Sequence, residues 1–203
     1  MMALHILVIV GSVRRDRIGI RPARYLQQCC ISRGHEATLI DPLEYRLPLL
    51  DRMYKEYPAG QAPEVLERLA KLIKSCHAVI VVAGEYNHSI QPALSNLLDH
   101  FLEEWFWRPA AIACYSAGQY GGGRAAMQCR RCCRRLAFRV SRRSWRCLGL
   151  RICSTSKVNR GRTGWCVKPD AFPTNWVGRP GPRRRPAQAV CLTDRPTTGT
   201  DVK

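Results

Sequence analysis

Ala78-Val79-Ile80-Val81-Val82-Ala83-Gly84-Glu85-Tyr86-Asn87-His88-Ser89-Ile90-Gln91-Pro92 passes from an unbroken apolar run, through a small and polar loop, to a proline. An apolar, β-branched run without alternation is what a strand buried on both faces of a parallel sheet requires. Proline in a first helical turn loses no hydrogen bond and has its φ preset. The helix that it predicts carries Ala93, Leu94, Leu97, Leu98, Phe101, Leu102 and Trp105 on one face. Strand, loop and helix follow in that order, and the polar groups gather where the strand stops.

The same unit recurs on either side. Leu4 to Val10 is a second buried strand that ends at Gly11-Ser12, and Pro109 to Tyr115 is a third that runs into Ser116-Ala117-Gly118-Gln119-Tyr120-Gly121-Gly122-Gly123. Between them, Pro22 to Ile31 predicts a helix closed by Gly34, and Glu36 to Ile40 a short strand stopped by Asp41-Pro42. Residues 43–61 are loop-like. Pro63 then opens a helix with Val65, Leu66, Leu69, Leu72, Ile73 and Cys76 at a 3.6-residue period. Strands alternating with helices imply an α/β fold, a doubly wound parallel sheet with helices on both faces. Ligands of such sheets bind outside the carboxyl ends of the strands, where strand order reverses. Three neighbouring strands would bring the three loops to one crevice.

The first loop, Gly11-Ser12-Val13-Arg14-Arg15-Asp16-Arg17-Ile18-Gly19, joins small residues, arginines and a helix N-terminus. That combination suits a phosphate group. A solvated basic turn is the competing reading. It is neither a Walker loop nor a GxGxxG fingerprint, so a nucleoside triphosphate site is not expected.

Taken together, Gly11-Ser12-Val13-Arg14, the long motif from Gly84 to Asp99, and Tyr115 to Ala126 resemble the three signature loops of the NAD(P)H-dependent FMN reductases, which include quinone, azo-dye and chromate reductases. The resemblance covers residues 4 to about 128 and implies a flavodoxin-like fold, with FMN and NAD(P)H as cofactors and a small-molecule electron acceptor. It implies that Ser12 and Arg14, with the backbone near Ile18, hold the FMN phosphate. Glu85, Tyr86 and Asn87 would pack along the isoalloxazine, and Ser116 and Gly118 would close the far side. It also implies a homodimer through the helix bearing Asn96, Asp99, Glu104 and Trp105. The cofactor carries the hydride step, so no catalytic side chain is expected. His88 is expected to order its loop, and His5 to be a satisfied strand residue. Gly84 and Gln91 stand where the family usually has Pro, a change expected to loosen the middle loop. The alternatives to a reductase of quinones, azo dyes or free flavin are a flavodoxin-type electron carrier and a truncated, inactive flavoprotein.

Beyond this region the composition breaks. The net charge of +18 would suggest nucleic acid or membrane, but residues 1–126 carry 14 Lys+Arg against 12 Asp+Glu, while residues 127–203 carry 19 against 3. Seven of the 11 cysteines also lie in that second part. The expected domains are therefore 1–128, binding FMN, and 129–203, a basic, Cys/Arg-rich tail that cannot bury enough apolar surface to order. A helix through Cys129-Arg130-Arg131-Cys132-Cys133-Arg134-Arg135 would have almost no apolar face, so the last helix and strand are expected to be missing or degraded. Cys129, Cys132 and Cys133, with Cys147, Cys153 and Cys166 downstream, form no two clean CxxC pairs, and no His follows His100, so no metal is expected. Trp145, Trp165 and Trp176 are stacking candidates for a nucleic-acid arm, a partner that is not expected. Out-of-frame translation is preferred: Leu136-Ala137-Phe138-Arg139, re-read one nucleotide upstream, is compatible with Leu-Gly-Phe-Pro. No apolar run approaches the roughly 20 residues of a membrane span, and Leu4–Val10 lacks the flanks of a signal peptide. The expectation is a cytoplasmic protein with reduced thiols.

Overall fold

The computed structural model describes residues 2–118 and 120–140, and the backbone of 145–148. Four parallel strands make the sheet's body: β1 His5–Val10, β2 Glu36–Ile40, β3 Ala78–Gly84 and β4 Pro109–Ser116. Their order is β2-β1-β3-β4, with β5, Arg139–Val140, beyond β4 at the edge. A further strand, β6 Trp145–Leu148, pairs with β4 farther along, Ala113 opposite Trp145 and Ser116 opposite Leu148. Strand order reverses between β1 and β3, so their carboxyl ends open the crevice expected of a doubly wound sheet.

The pleat divides the core. Leu7, Ile9, Val79, Val81, Ala110, Ile112 and Cys114 share one cluster with Leu66, Leu69 and Ile73 of α3 (Glu64–Ser75) and with Leu94 and Leu97 of α4 (Pro92–Asp99). α1 (Ile20–Ile31) covers β1 and β2 and buries Ala23, Leu26 and Cys30. The short α2, Pro42–Tyr45, begins at Asp41, whose carboxylate accepts the Leu43 N–H at 3.1 Å. His5 is satisfied, with Nε2 2.9 Å from Thr38 Oγ1.

Two expectations need correction. The helix predicted from Pro92 through Trp105 stops at Asp99, and a separate single turn, Glu103–Trp105, returns Trp105 to the core. Phe101 and Trp105 meet edge to face at 6.1 Å, so the apolar face survives the break in the helix.

The second correction concerns the end of the unit. α5 forms over Gly123–Arg135, so the boundary expected at 128 falls inside a helix, and that helix is not missing. Its buried positions are Ala125, Ala126, Cys129 and Cys133, spaced three and four apart. Cysteine acts here as a small apolar residue, with the arginines turned outward. Leu136 and Phe138 continue the same cluster. The expectation of an unpacked, out-of-frame tail falls, from residue 149 onward, outside the described residues, as do the side chains of Trp145, Trp165 and Trp176.

Cys133→Arg is expected to destabilise the protein by more than about 4 kcal/mol, because it would bury an unpaired cation. Arg134→Ala, one residue on, should change stability by no more than about 0.5 kcal/mol. Urea denaturation of both variants separates a packed α5 from an unpacked tail.

Candidate functional site

Three loops leave the carboxyl ends of β1, β3 and β4, which lie side by side. The Gly11 N–H donates to the Val82 carbonyl at 3.0 Å, and the Glu85 N–H to the Tyr115 carbonyl at 3.2 Å. The ladder therefore continues past the strands and brings the loops together.

The middle loop is a tight hairpin. Tyr86 and Ser89 exchange both backbone hydrogen bonds, at 3.0 and 2.8 Å, around Asn87 (φ 49°) and His88 (φ 64°). Positive φ at both central residues defines a type I′ turn, which asparagine tolerates better than most residues. The His88 ring lies 3.1 Å from Arg124 Nη1 and 3.5 Å from Glu85 Oε1, the loop-ordering role expected of it.

The Glu85 carboxylate is engaged within the chain. Its Oε2 accepts the N–H groups of Arg124 and Ala125, at 3.1 and 3.2 Å, in the first turn of α5. The N-cap residue of that helix, Gly122 (φ 82°), has no side chain to offer, so the carboxylate arriving from β3 takes its place.

In the first loop, Ser12 is buried, its Oγ 3.2 Å from the Tyr86 hydroxyl, which joins two of the predicted contact residues. The Arg14 side chain is exposed, and its charge acts on the Tyr115 phenol. Arg17 is engaged: it pairs with Asp41 and pins the loop to the end of β2. The Ile18 carbonyl accepts the Arg21 N–H at 3.0 Å, and α1 starts at Gly19 with no side-chain cap and no acidic residue in its first turn. In the third loop, Ser116 Oγ accepts the Gly118 N–H at 3.1 Å, with Gly118 exposed. Asn87 is also exposed.

Gln91 is the residue that sequence reasoning misjudged. Its Oε1 accepts the Gly84 N–H at 2.9 Å and its Nε2 donates to the Tyr115 hydroxyl at 3.1 Å. The two departures from proline therefore hold each other, since a proline at 84 would have no N–H to give. The middle loop is tied down, not loosened. Two proline losses within one loop were the only signal in the sequence.

The model of the NADPH-dependent FMN reductase family matches residues 4–148. The chain belongs to that family. The NAD(P)H-dependent FMN reductase ntnL of Nectria sp is 33% identical over 130 residues, 61% of this chain and 64% of the relative. The 2-hydroxy-1,4-benzoquinone reductase of Burkholderia sp is 28% identical, over 65% of this chain and 71% of its own. The chain thus spans a little under two thirds of the Nectria protein. Among solved structures, the flavoenzyme FerB of Paracoccus denitrificans superposes with a TM-score of 0.56 at 23% identity, covering 68% of this chain and 75% of that one. The apo form of the NADH:FMN oxidoreductase EMOB gives 0.59 at 17%, covering 70% and 74%. Both share the fold.

Within this FMN reductase domain, the helix residues that the resemblance ties to dimerisation are largely engaged internally. Asn96 donates to the Pro48 carbonyl at 2.7 Å and accepts the Leu50 N–H at 2.8 Å, and buried Trp105 donates to the Leu98 carbonyl at 3.0 Å. Glu104, also buried, lies 3.6 Å from Lys74 Nζ. Among the described residues no cluster of His, Cys, Asp or Glu could hold a metal, and no helix is long and apolar enough to cross a membrane.

Glu85→Ala leaves the first turn of α5 without its acceptor and is expected to lower stability by about 1–2 kcal/mol. Thermal unfolding checks this, with Glu85→Gln, which keeps one acceptor oxygen, expected to lose less.

Proposed function

We propose that this chain binds FMN across its three loops and works as an NAD(P)H-dependent oxidoreductase that reduces a small acceptor such as a quinone, an azo dye or free flavin. The observation that carries the reading is the meeting of the first and middle loops at Ser12 and Tyr86, beside an α1 terminus with no cap of its own. At the head of α1, Arg21 and Ala23 are already bonded and Pro22 has no N–H, which leaves the N–H groups of Gly19 and Ile20; with a buried hydroxyl and an exposed arginine they form a donor set for a phosphate dianion. The residues present therefore fit the cofactor of the family.

In this reading Ser12, Arg14 and the backbone near Ile18 hold the phosphate, while Asn87, the Tyr86 ring and the Glu85 backbone line the flavin. Ser116 and Gly118 close the far side. When bound, FMN would supply the redox chemistry, hydride transfer between a nicotinamide and an acceptor. The chain's own contribution is to bind, orient and shield. The type I′ turn holds Tyr86 at a fixed angle to the crevice, and Glu85 couples that turn to α5. A homodimer belongs to the same reading, supported by Leu49 and Leu50, exposed beside α4, and gel filtration reports it directly.

Addition of FMN to the purified protein is expected to give a bound flavin spectrum and FMN-dependent oxidation of NADH or NADPH with a quinone acceptor. Arg14→Ala should weaken FMN binding by about 1.5–3 kcal/mol, the range of a hydrogen bond to a charged group. Flavin fluorescence quenching gives the constant, and an unchanged value would remove Arg14 from the phosphate site. Flavin binding without steady-state NAD(P)H oxidation would mark an electron carrier of flavodoxin type instead.

A further inference from the structure

Gln91 is only 1% exposed, and both ends of its amide are engaged, one by Gly84 and the other by Tyr115. An amide held at both ends fixes the direction of the group it bonds. The Tyr115 hydroxyl accepts from Gln91 and also meets the Ser12 side chain, which joins it to the loop that carries Arg14. Burial pushes this phenol up to about 12, with the Tyr86 phenol adding to the shift, so the proton is present throughout the physiological range.

Three glycines make the room. Gly19 has φ −59°, which any residue adopts, yet a Cβ there would overlap the Tyr115 phenol. A Cβ at Gly84 would lie 2.8 Å from Tyr115 Cζ, and one at Gly11 would lie 2.6 Å from Gln91 Oε1. The glycine at 19 is therefore required by close approach and not by backbone conformation. The approach sets a phenolic hydroxyl against the N-cap residue of α1, at the end of the loop that carries Ser12 and Arg14.

We infer that the Tyr115 hydroxyl is a further donor to the phosphate of bound FMN, and that Gln91 is the positioning residue that aims it. The inference rests on the FMN site proposed above. It goes beyond that site by placing a side chain from β4 on the phosphate and by giving a task to the two positions where proline is absent.

Dissociation constants for FMN and for riboflavin, which lacks the phosphate, test it by flavin fluorescence quenching. Tyr115→Phe is expected to raise the FMN constant about ten-fold or more and to leave that of riboflavin unchanged. Gln91→Leu should lose part of the same factor, and the double variant no more than Tyr115→Phe alone, because Gln91 acts only through the hydroxyl. Gly19→Ala, whose added methyl displaces the hydroxyl, should behave like Tyr115→Phe. Equal weakening of both flavins would assign Tyr115 and Gln91 to packing and overturn the inference. Tighter FMN binding by Tyr115→Phe would also overturn it, since the hydroxyl would then occupy the place of the phosphate. If the wild type binds FMN and Tyr115→Phe keeps its preference for FMN over riboflavin, this assignment fails while the FMN site stands. A wild type that binds neither flavin removes the site itself and the inference with it.

Discussion

The ladder of β3 is shared on both sides, with Ala78–Val82 paired to β1 and Val79–Gly84 paired to β4. Every residue of the strand is buried, so neither face nor edge can hold a polar group that reaches solvent. Such a strand offers chemistry only where it ends. Parallel pairing then forces its neighbours to end on the same side, which brings the loops after Val10, Gly84 and Ser116 into one place. The position of the site follows from this pairing more than from any residue in the loops.

Loops gathered so closely need to be held apart and held still. The Gly84–Gln91–Tyr115 chain does the holding between β3, α4 and β4, and Glu85 extends it to α5. Arg17 and Asp41 do the same between the first loop and β2. Each of these links uses a polar side chain that is wholly or partly shielded, which raises the value of a hydrogen bond and equally the penalty for breaking it. The hairpin that carries Tyr86 is consequently one with the framework.

Buried parallel strands and proline-led helices were legible because unbroken apolar runs and 3.6-residue periods are local properties of the chain. So were the three loops and their meeting; the pairing of Ser12 with Tyr86 was not, since the two residues lie 74 apart in the chain. The early stop of α4 was not, because Phe101 and Trp105 remain buried whether the helix continues or breaks. The carboxylate of Glu85 could not be placed, since its partners lie at the start of a helix 39 and 40 residues away. Gln91 was misjudged for the same reason: a loop that loses two prolines looks loose until its contacts with other strands are known. Cysteines among arginines hid the apolar face of α5, because the residue type first suggests reactivity or metal and only then small size.

That choice of residue for the inner face of α5 carries a liability. Cys129 and Cys133 stand with their sulfur atoms 3.9 Å apart, both fully enclosed, and the neighbouring thiol together with burial keeps Cys129 protonated. In that state Cys129 is inert, but an oxidant that reached the pair during a local opening would add oxygen atoms where burial leaves no room. The helix could not close again over a sulfinate. Reductant in the buffer would then protect the folded protein, and oxidative damage would begin at α5.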